Sequence, residues 1–138
     1  MAPARSPGPH VLVVDDEPHI GLLLQPHLEQ RGYRVTLART LAQARAVTAG
    51  PKPVDALLLD VRLPDGSGLD WLRELRAEPA TRNLPVLVLT GEGEERVLRA
   101  AERLGAAVLT KPFSPTKLAT QLASMVGDAM SPPPSPAA

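Results

Sequence analysis

The sequence predicts an α/β protein in which helices cover both faces of a parallel sheet. Short continuous apolar runs alternate along the chain with segments whose apolar residues recur at helical spacing. The first pattern is typical of buried strands, and the second is typical of amphipathic helices. Because βα units favour right-handed crossovers, strands that alternate with helices form a parallel sheet with helices on both sides.

Five runs mark the predicted strands. Four of them are continuously apolar, which indicates burial on both faces, and the second run is weaker because polar residues interrupt it. The predicted strands are 11–14 (VLVV), 33–38 (YRVTLA), 56–59 (ALLL), 86–89 (VLVL) and 107–109 (AVL).

Five stretches of helical spacing follow these strands. Pro26 falls inside the first stretch, where it removes an internal hydrogen bond and predicts a kink rather than a break. The apolar positions are Ile20, Leu23, Leu24 and Leu28, then Leu41, Ala44 and Val47, then Gly68, Trp71, Leu72 and Leu75, then Val97, Leu98, Ala101 and Leu104, and finally Leu118, Leu122, Met125 and Val126.

Composition limits the classes of function. The 138 residues are 43% hydrophobic and only 2% aromatic, so the core is built mainly from Leu, Val and Ala. Fifteen basic residues balance fifteen acidic ones, and we expect this domain to bind neither nucleic acid nor a membrane. The absence of cysteine excludes disulfides and thiolate zinc sites, and no long apolar run indicates a signal peptide or membrane span. We therefore expect a soluble cytoplasmic protein.

The two ends differ from the rest of the chain because they are rich in proline and poor in apolar residues. We expect one domain over 10–128, with a disordered tail at 1–9. The Pro-rich segment 129–138 is predicted to be a disordered tail or the start of a linker.

Acidic residues follow two of the predicted strands. The first strand runs into Asp15 and Asp16, and the third ends at Asp60. Parallel strands all point the same way, so these carboxylates meet at one edge of the sheet if the two strands are neighbours. Their mutual repulsion requires a proton or a cation, and oxygen ligands favour Mg²⁺ or Mn²⁺ over zinc.

The fourth and fifth predicted strands also end in polar residues. Thr90 follows the fourth strand, and Lys111, followed by Pro112, ends the fifth. Carboxylates, a metal ion, a hydroxyl and an ammonium at one edge indicate a site for a phosphoryl group. An aspartate oxygen is the candidate nucleophile.

The motifs VLVVDDEP, LLLDVRLPDGSG, PVLVLTG and TKPF resemble those of the receiver domain of two-component response regulators, which is CheY-like. The resemblance covers about residues 10 to 128. It implies a (βα)₅ doubly wound sandwich, with a five-stranded parallel sheet in the order 2-1-3-4-5 and five helices. It also implies phosphorylation of Asp60 by a histidine kinase or phosphotransfer protein, and signalling through phosphorylation-dependent protein–protein interaction.

The same resemblance implies a Mg²⁺ site. Asp16, Asp60 and the backbone carbonyl of Arg62 would bind the ion directly, and Asp15 would act mainly through a metal-bound water. Lys111 would pair with the Asp60 carboxylate.

The resemblance also implies contacts with the phosphoryl group: Lys111 would pair with one of its oxygens, and Thr90 would hydrogen-bond to another. It implies a cis peptide bond before Pro112, a geometry that X-Pro bonds reach at small cost. Pro64 and Gly68 then look like turn and close-packing positions. Such a domain is not an enzyme beyond catalysing its own phosphorylation on Asp60 and the hydrolysis of that bond.

One position departs from the family pattern. Receivers usually carry Tyr or Phe three residues before the lysine, and here that residue is Val108. The segment GAAVLTKPF is also one residue shorter than usual between its Gly-Ala and the lysine. Simple drift in a short loop explains both features, and so does a switch that uses no aromatic rotamer.

Two other functions stay open at this stage. A degenerate receiver would act as a constitutive protein-binding module with little phosphorylation. A Mg²⁺-dependent phosphohydrolase of the haloacid-dehalogenase type also uses a strand-terminal aspartate, but it places a second acid where this chain has Arg62. The downstream partner is either a separate protein or a C-terminal output domain.

Overall fold

The computed structural model describes residues 8–91 and 94–130. Its main sheet has five parallel strands, which we number β1 to β5 in chain order. The strands are β1 (His10–Val14), β2 (Arg34–Ala38), β3 (Ala56–Asp60), β4 (Val86–Thr90) and β5 (Ala107–Thr110). Their spatial order is β2-β1-β3-β4-β5, so the expected order 2-1-3-4-5 is confirmed.

Five helices alternate with these strands, and the predicted fold class is confirmed. The helices are α1 (Pro18–Glu29), α2 (Leu41–Ala49), α3 (Gly68–Ala77), α4 (Glu95–Arg103) and α5 (Pro115–Met130). Helix α1 continues through Pro26 without a break. Helix α5 extends two residues past the predicted domain end at 128. Of the predicted tails at 1–9 and 129–138, residues 1–7 and 131–138 lie outside the described residues.

The helices divide between the two faces of the sheet. Alternate residues of the central strands, such as Leu12 and Leu57, pack with α2, α3 and α4. Their neighbours, such as Val13 and Leu58, pack with α1 and α5. All five residues of β1, β3 and β4 are buried, which explains why their sequences are continuously apolar.

Two residues of the predicted apolar stripes are not in the core. Leu23 is 47% exposed and Leu98 is 39% exposed, although both follow the helical spacing. Ile20, Leu24 and Leu28 form the buried face of α1 instead. The stripe read from the sequence was therefore wider than the face that each helix buries.

The amino end of the sheet contains a buried histidine. The His10 ring is bonded through Nδ1 to the Pro53 carbonyl at 2.8 Å and through Nε2 to the Thr36 hydroxyl at 2.7 Å. A carbonyl only accepts, so Nδ1 donates and, in the neutral ring, Nε2 accepts from the hydroxyl. The His10 backbone N–H also donates to Asp55 at 2.7 Å. This network joins β1, β2 and the segment before β3.

Within the described residues, no helix is long and apolar enough to cross a membrane.

Candidate functional site

The three predicted acidic residues lie together at the carboxyl edge of the sheet. Strands β1 and β3 are direct neighbours, so Asp15 and Asp16 follow one strand beside Asp60 at the end of the other. Carboxylate oxygens of all three lie within 4.8 Å of one another. Asp15 and Asp60 are buried, whereas Asp16 is exposed. The strands thus hold two acids rigidly and leave the third facing solvent.

Lys111 places its ammonium among these acids. Its Nζ lies 2.9 Å from Asp15 Oδ2, 3.2 Å from Glu17 Oε1 and 3.3 Å from Asp60 Oδ2. Burial lowers the pKa of Lys111, but pairing with Asp15, and then with Asp60 and Glu17, outweighs burial and raises the pKa above its ordinary value. The ammonium therefore stays charged. The peptide bond between Lys111 and Pro112 is cis, as the resemblance implied.

The Asp60 carboxylate is held in an unfavourable environment. Burial raises its pKa, the negative charge of Asp15 raises it further, and Lys111 only partly opposes them. Asp15 Oδ2 is buried, and among residues 8–91 and 94–130 its one close partner is the Lys111 ammonium at 2.9 Å, which Asp60 and Glu17 share. The single ammonium leaves this cluster with excess negative charge.

This donor set fits a hard divalent cation. Carboxylate oxygens are the ligands that Mg²⁺ and Mn²⁺ prefer, and a cation would relieve the repulsion between Asp15 and Asp60. A cavity of about 380 Å³ opens over the acids and leaves room for water and a phosphoryl group. Its lining consists of Asp16, Glu17, Asp60, Val61, Arg62, Thr90, Gly91, Glu94 and Lys111.

Thr90 lies at the same edge, where its hydroxyl is already engaged. The residue is 2% exposed, and Oγ1 donates a hydrogen bond to Glu94 Oε2 at 2.9 Å. The other Glu94 oxygen pairs with the guanidinium of Arg62. Sequence reasoning missed Glu94 because a glutamate in a polar loop carries no signal of such a contact.

The loop after β3 is anchored on both sides. A Cβ added to Gly68 would lie 2.2 Å from the Asp60 carbonyl oxygen, so the start of α3 packs directly on the end of β3. Asp65 accepts from the backbone N–H groups of Leu41 and Ala42 at 2.8 and 3.0 Å. These bonds lower the pKa of Asp65 and satisfy the N-terminus of α2.

Two other residues named from the sequence lie outside the acidic cluster. Pro64 is exposed in the turn between Arg62–Leu63 and Gly66–Ser67, which form a short antiparallel ladder that the sequence did not predict. Val108 is half-buried on β5, opposite Val88 of β4, and packs against the cluster that contains α3 and α4.

The doubly wound parallel sheet has Asp15, Asp16, Asp60, Thr90 and Lys111 at its carboxyl edge. This combination of fold and site is that of a signalling receiver domain. A family model described as the response regulator receiver domain matches residues 11–123. The chain therefore belongs to the response regulator receiver family of two-component systems.

Known proteins agree with this assignment. The phosphate regulon transcriptional regulatory protein PhoB of Pseudomonas aeruginosa is 38% identical over 120 residues, which are 86% of this chain and 52% of PhoB. The chain thus spans about half the length of the curated relatives it matches.

Two solved structures are similar to the whole domain. A putative response regulator from Chloroflexus aurantiacus has a TM-score of 0.80 at 31% identity, covering 87% of this chain and 98% of that protein. The non-phosphorylated HemR receiver domain of Leptospira biflexa has a TM-score of 0.77 at 32% identity, covering 92% and 99%.

Proposed function

We propose that this receiver is a working phosphoacceptor that is phosphorylated on Asp60 in a Mg²⁺-dependent reaction. The observation that carries the proposal is the environment of Asp60. Its carboxylate is fixed at the end of a buried strand, lies 3.3 Å from the Lys111 ammonium and faces an open cavity. A nucleophile in this position is both oriented and accessible.

Asp15, Asp16, Asp60 and the backbone carbonyl of Arg62 would hold the metal ion. When bound, Mg²⁺ supplies positive charge that offsets the acids and the oxygens of the phosphoryl group. The backbones of Asp15 and Asp60 are held at the ends of neighbouring strands, which keeps the two carboxylates close together. Their repulsion therefore favours cation binding rather than side-chain rearrangement.

In the proposed reaction, an Asp60 oxygen forms a bond to the phosphorus atom while the bond from phosphorus to a donor histidine nitrogen breaks. The product is an aspartyl phosphate. Lys111 is close enough to pair with a phosphoryl oxygen after its bond with the carboxylate loosens, and Thr90 can donate to another oxygen. Water attack on the same phosphorus atom would later regenerate Asp60.

Phosphorylation would change the surface through Thr90 rather than through an aromatic side chain. Val108 has no polar tip and few rotamers, so its rearrangement is small. We propose that the rearranged surface binds a downstream protein or a C-terminal output domain. The same proposal includes a histidine kinase or phosphotransfer protein as donor and a cytoplasmic location.

The degenerate-receiver alternative has less support, because Asp16, Asp60, Thr90 and Lys111 line one cavity and Asp15 pairs with Lys111 beside it. The phosphohydrolase alternative needs a second acid at position 62. This chain has Arg62 at that position, and its guanidinium pairs with Glu94.

Intact-mass spectrometry after incubation with acetyl phosphate and Mg²⁺ tests the proposal. The wild-type chain should gain one phosphoryl group, and Asp60→Asn should gain none. Asp65→Asn is the matched control, because Asp65 is an aspartate on the same loop whose oxygens bond to α2. An unlabelled wild-type chain would favour the degenerate receiver, and phosphate release over many turnovers would favour the hydrolase.

A further inference from the structure

The hydroxyl of Thr90 is held by a residue outside the acidic cluster. Glu94 Oε2 accepts its hydrogen bond at 2.9 Å, and among residues 8–91 and 94–130 the hydroxyl has no other acceptor. Because the acceptor is ionised and Thr90 is buried, this bond belongs to the stronger, charge-assisted kind.

The position of Glu94 makes this contact unexpected. Glu94 is the N-cap residue of α4, yet its side chain makes no capping hydrogen bond to that helix. A negative charge near a helix N-terminus is favoured by the helix dipole and can bond to the free N–H groups there. Here the carboxylate bonds to Thr90 and pairs with Arg62 instead. The side chain is therefore committed to the cavity and not to its own helix.

We infer that Glu94 competes with the phosphoryl group for the Thr90 hydroxyl and so stabilises the unphosphorylated conformation. The inference rests on the proposed phosphorylation of Asp60, and it adds a positioning residue to that reaction. Arg62 supports the competition because its guanidinium holds the second Glu94 oxygen. The side chain of Glu94 is only 23% exposed, whereas that of Arg62 is 82% exposed.

The single proton of the Thr90 hydroxyl explains why the two acceptors exclude each other, and charge repulsion adds to the effect. A phosphoryl group on Asp60 brings close to two negative charges into the cavity that Glu94 also lines. The Thr90 hydroxyl has one proton to donate, so a bond to the phosphoryl oxygen requires loss of the bond to Glu94. A ligand shifts such an equilibrium only by its differential contacts with the two states, and this exchange provides one.

The inference also connects the site to the start of α4. When Thr90 releases Glu94, the carboxylate becomes available to the N–H groups of α4 that it does not cap. The first turn of α4 would then change its hydrogen bonding on phosphorylation.

Binding of beryllofluoride with Mg²⁺, measured by fluorine NMR titration, tests the competition without requiring a phosphodonor. Glu94→Ala should bind beryllofluoride about fivefold more tightly than the wild-type chain, because the competing acceptor is gone. Glu94→Gln, which keeps the size and loses the charge, should show a smaller gain of about twofold. Glu95→Ala is the matched control, because the Glu95 side chain is 79% exposed and pairs with Arg99.

A double-mutant cycle with Thr90→Val separates competition for the hydroxyl from simple repulsion. The gain from Glu94→Ala should be clearly smaller when Thr90 is replaced, since only charge repulsion then remains to be relieved. A gain of the same size in the Thr90→Val background would overturn the inference, and so would unchanged or weaker binding by both Glu94 variants. If neither the wild-type chain nor the Glu94 variants bind beryllofluoride, the proposed function fails as well. Binding by the wild-type chain without a gain in the variants overturns the inference alone.

Discussion

Buried polar groups are paired differently at the two ends of the parallel strands, the amino edge around His10 and the carboxyl edge around Asp60. At the amino edge, both ring nitrogens of His10 have partners at 2.7 to 2.8 Å. At the carboxyl edge, Asp15, Glu17 and Asp60 share one ammonium, that of Lys111, and the pKa of Asp60 is raised by burial and by Asp15. The first edge contributes to stability, and the second keeps an excess of negative charge that a cation can relieve.

The largest effect is expected at the amino edge. His10→Leu keeps the volume of the side chain but leaves the Pro53 carbonyl and the Thr36 hydroxyl without their partner. We expect a loss of about 3 kcal/mol in the free energy of unfolding, measured by urea denaturation. Thr36→Val removes only one of the two bonds and should cost about 1 kcal/mol. Equal stability of His10→Leu and the wild-type chain would remove the contrast between the edges.

A smaller loss is expected where α3 packs on the end of β3. Gly68→Ala would place a Cβ 2.2 Å from the Asp60 carbonyl oxygen, so backbone atoms must shift. We expect a cost of about 2 kcal/mol in urea denaturation. Gly127→Ala is the matched control, because a Cβ there meets nothing within 4 Å in α5, and it should gain about 0.5 to 1 kcal/mol. An unaffected Gly68→Ala would show that this packing is loose.

The smallest expected effect is a gain in stability, from Asp60→Asn at the carboxyl edge. The pKa of Asp60 is raised in the folded state, so its ionised form opposes folding as the pH rises through that pKa. Asp60→Asn should therefore raise Tm at neutral pH without Mg²⁺, by about 3 °C. Lys111 keeps its contacts with Asp15 and Glu17 in this variant.

The pH dependence of this effect is its control. The gain from Asp60→Asn should shrink as the pH falls, because Asp60 becomes protonated in the wild-type chain as well. A lower Tm for Asp60→Asn at neutral pH would mean that the acidic cluster is not under electrostatic strain.

Much of the fold could be predicted because its signals are local. Each predicted strand begins or ends within one residue of the observed strand, since the apolar runs coincide with the buried segments. Strand order is not local, and it came from the family resemblance. The exposure of Leu23 and Leu98 was missed because helical spacing does not tell how wide a face the sheet covers.

The acidic cluster could also be anticipated, because chain direction alone brings the ends of parallel strands to one edge. The contacts of Glu94 and His10 could not be anticipated from the sequence. His10 bonds to partners 26 and 43 residues away, and the Glu94 side chain could equally have capped α4. Such contacts depend on the packed structure rather than on a sequence pattern.

The most direct test of the central claim is the chemical identity of the phosphorylated residue. Borohydride reduces an aspartyl phosphate to the alcohol homoserine and leaves an ordinary aspartate unchanged. After treatment with acetyl phosphate, Mg²⁺ and borohydride, peptide sequencing by mass spectrometry should find homoserine at position 60. Homoserine at Asp15, Asp16 or another aspartate, with position 60 unmodified, would contradict the account.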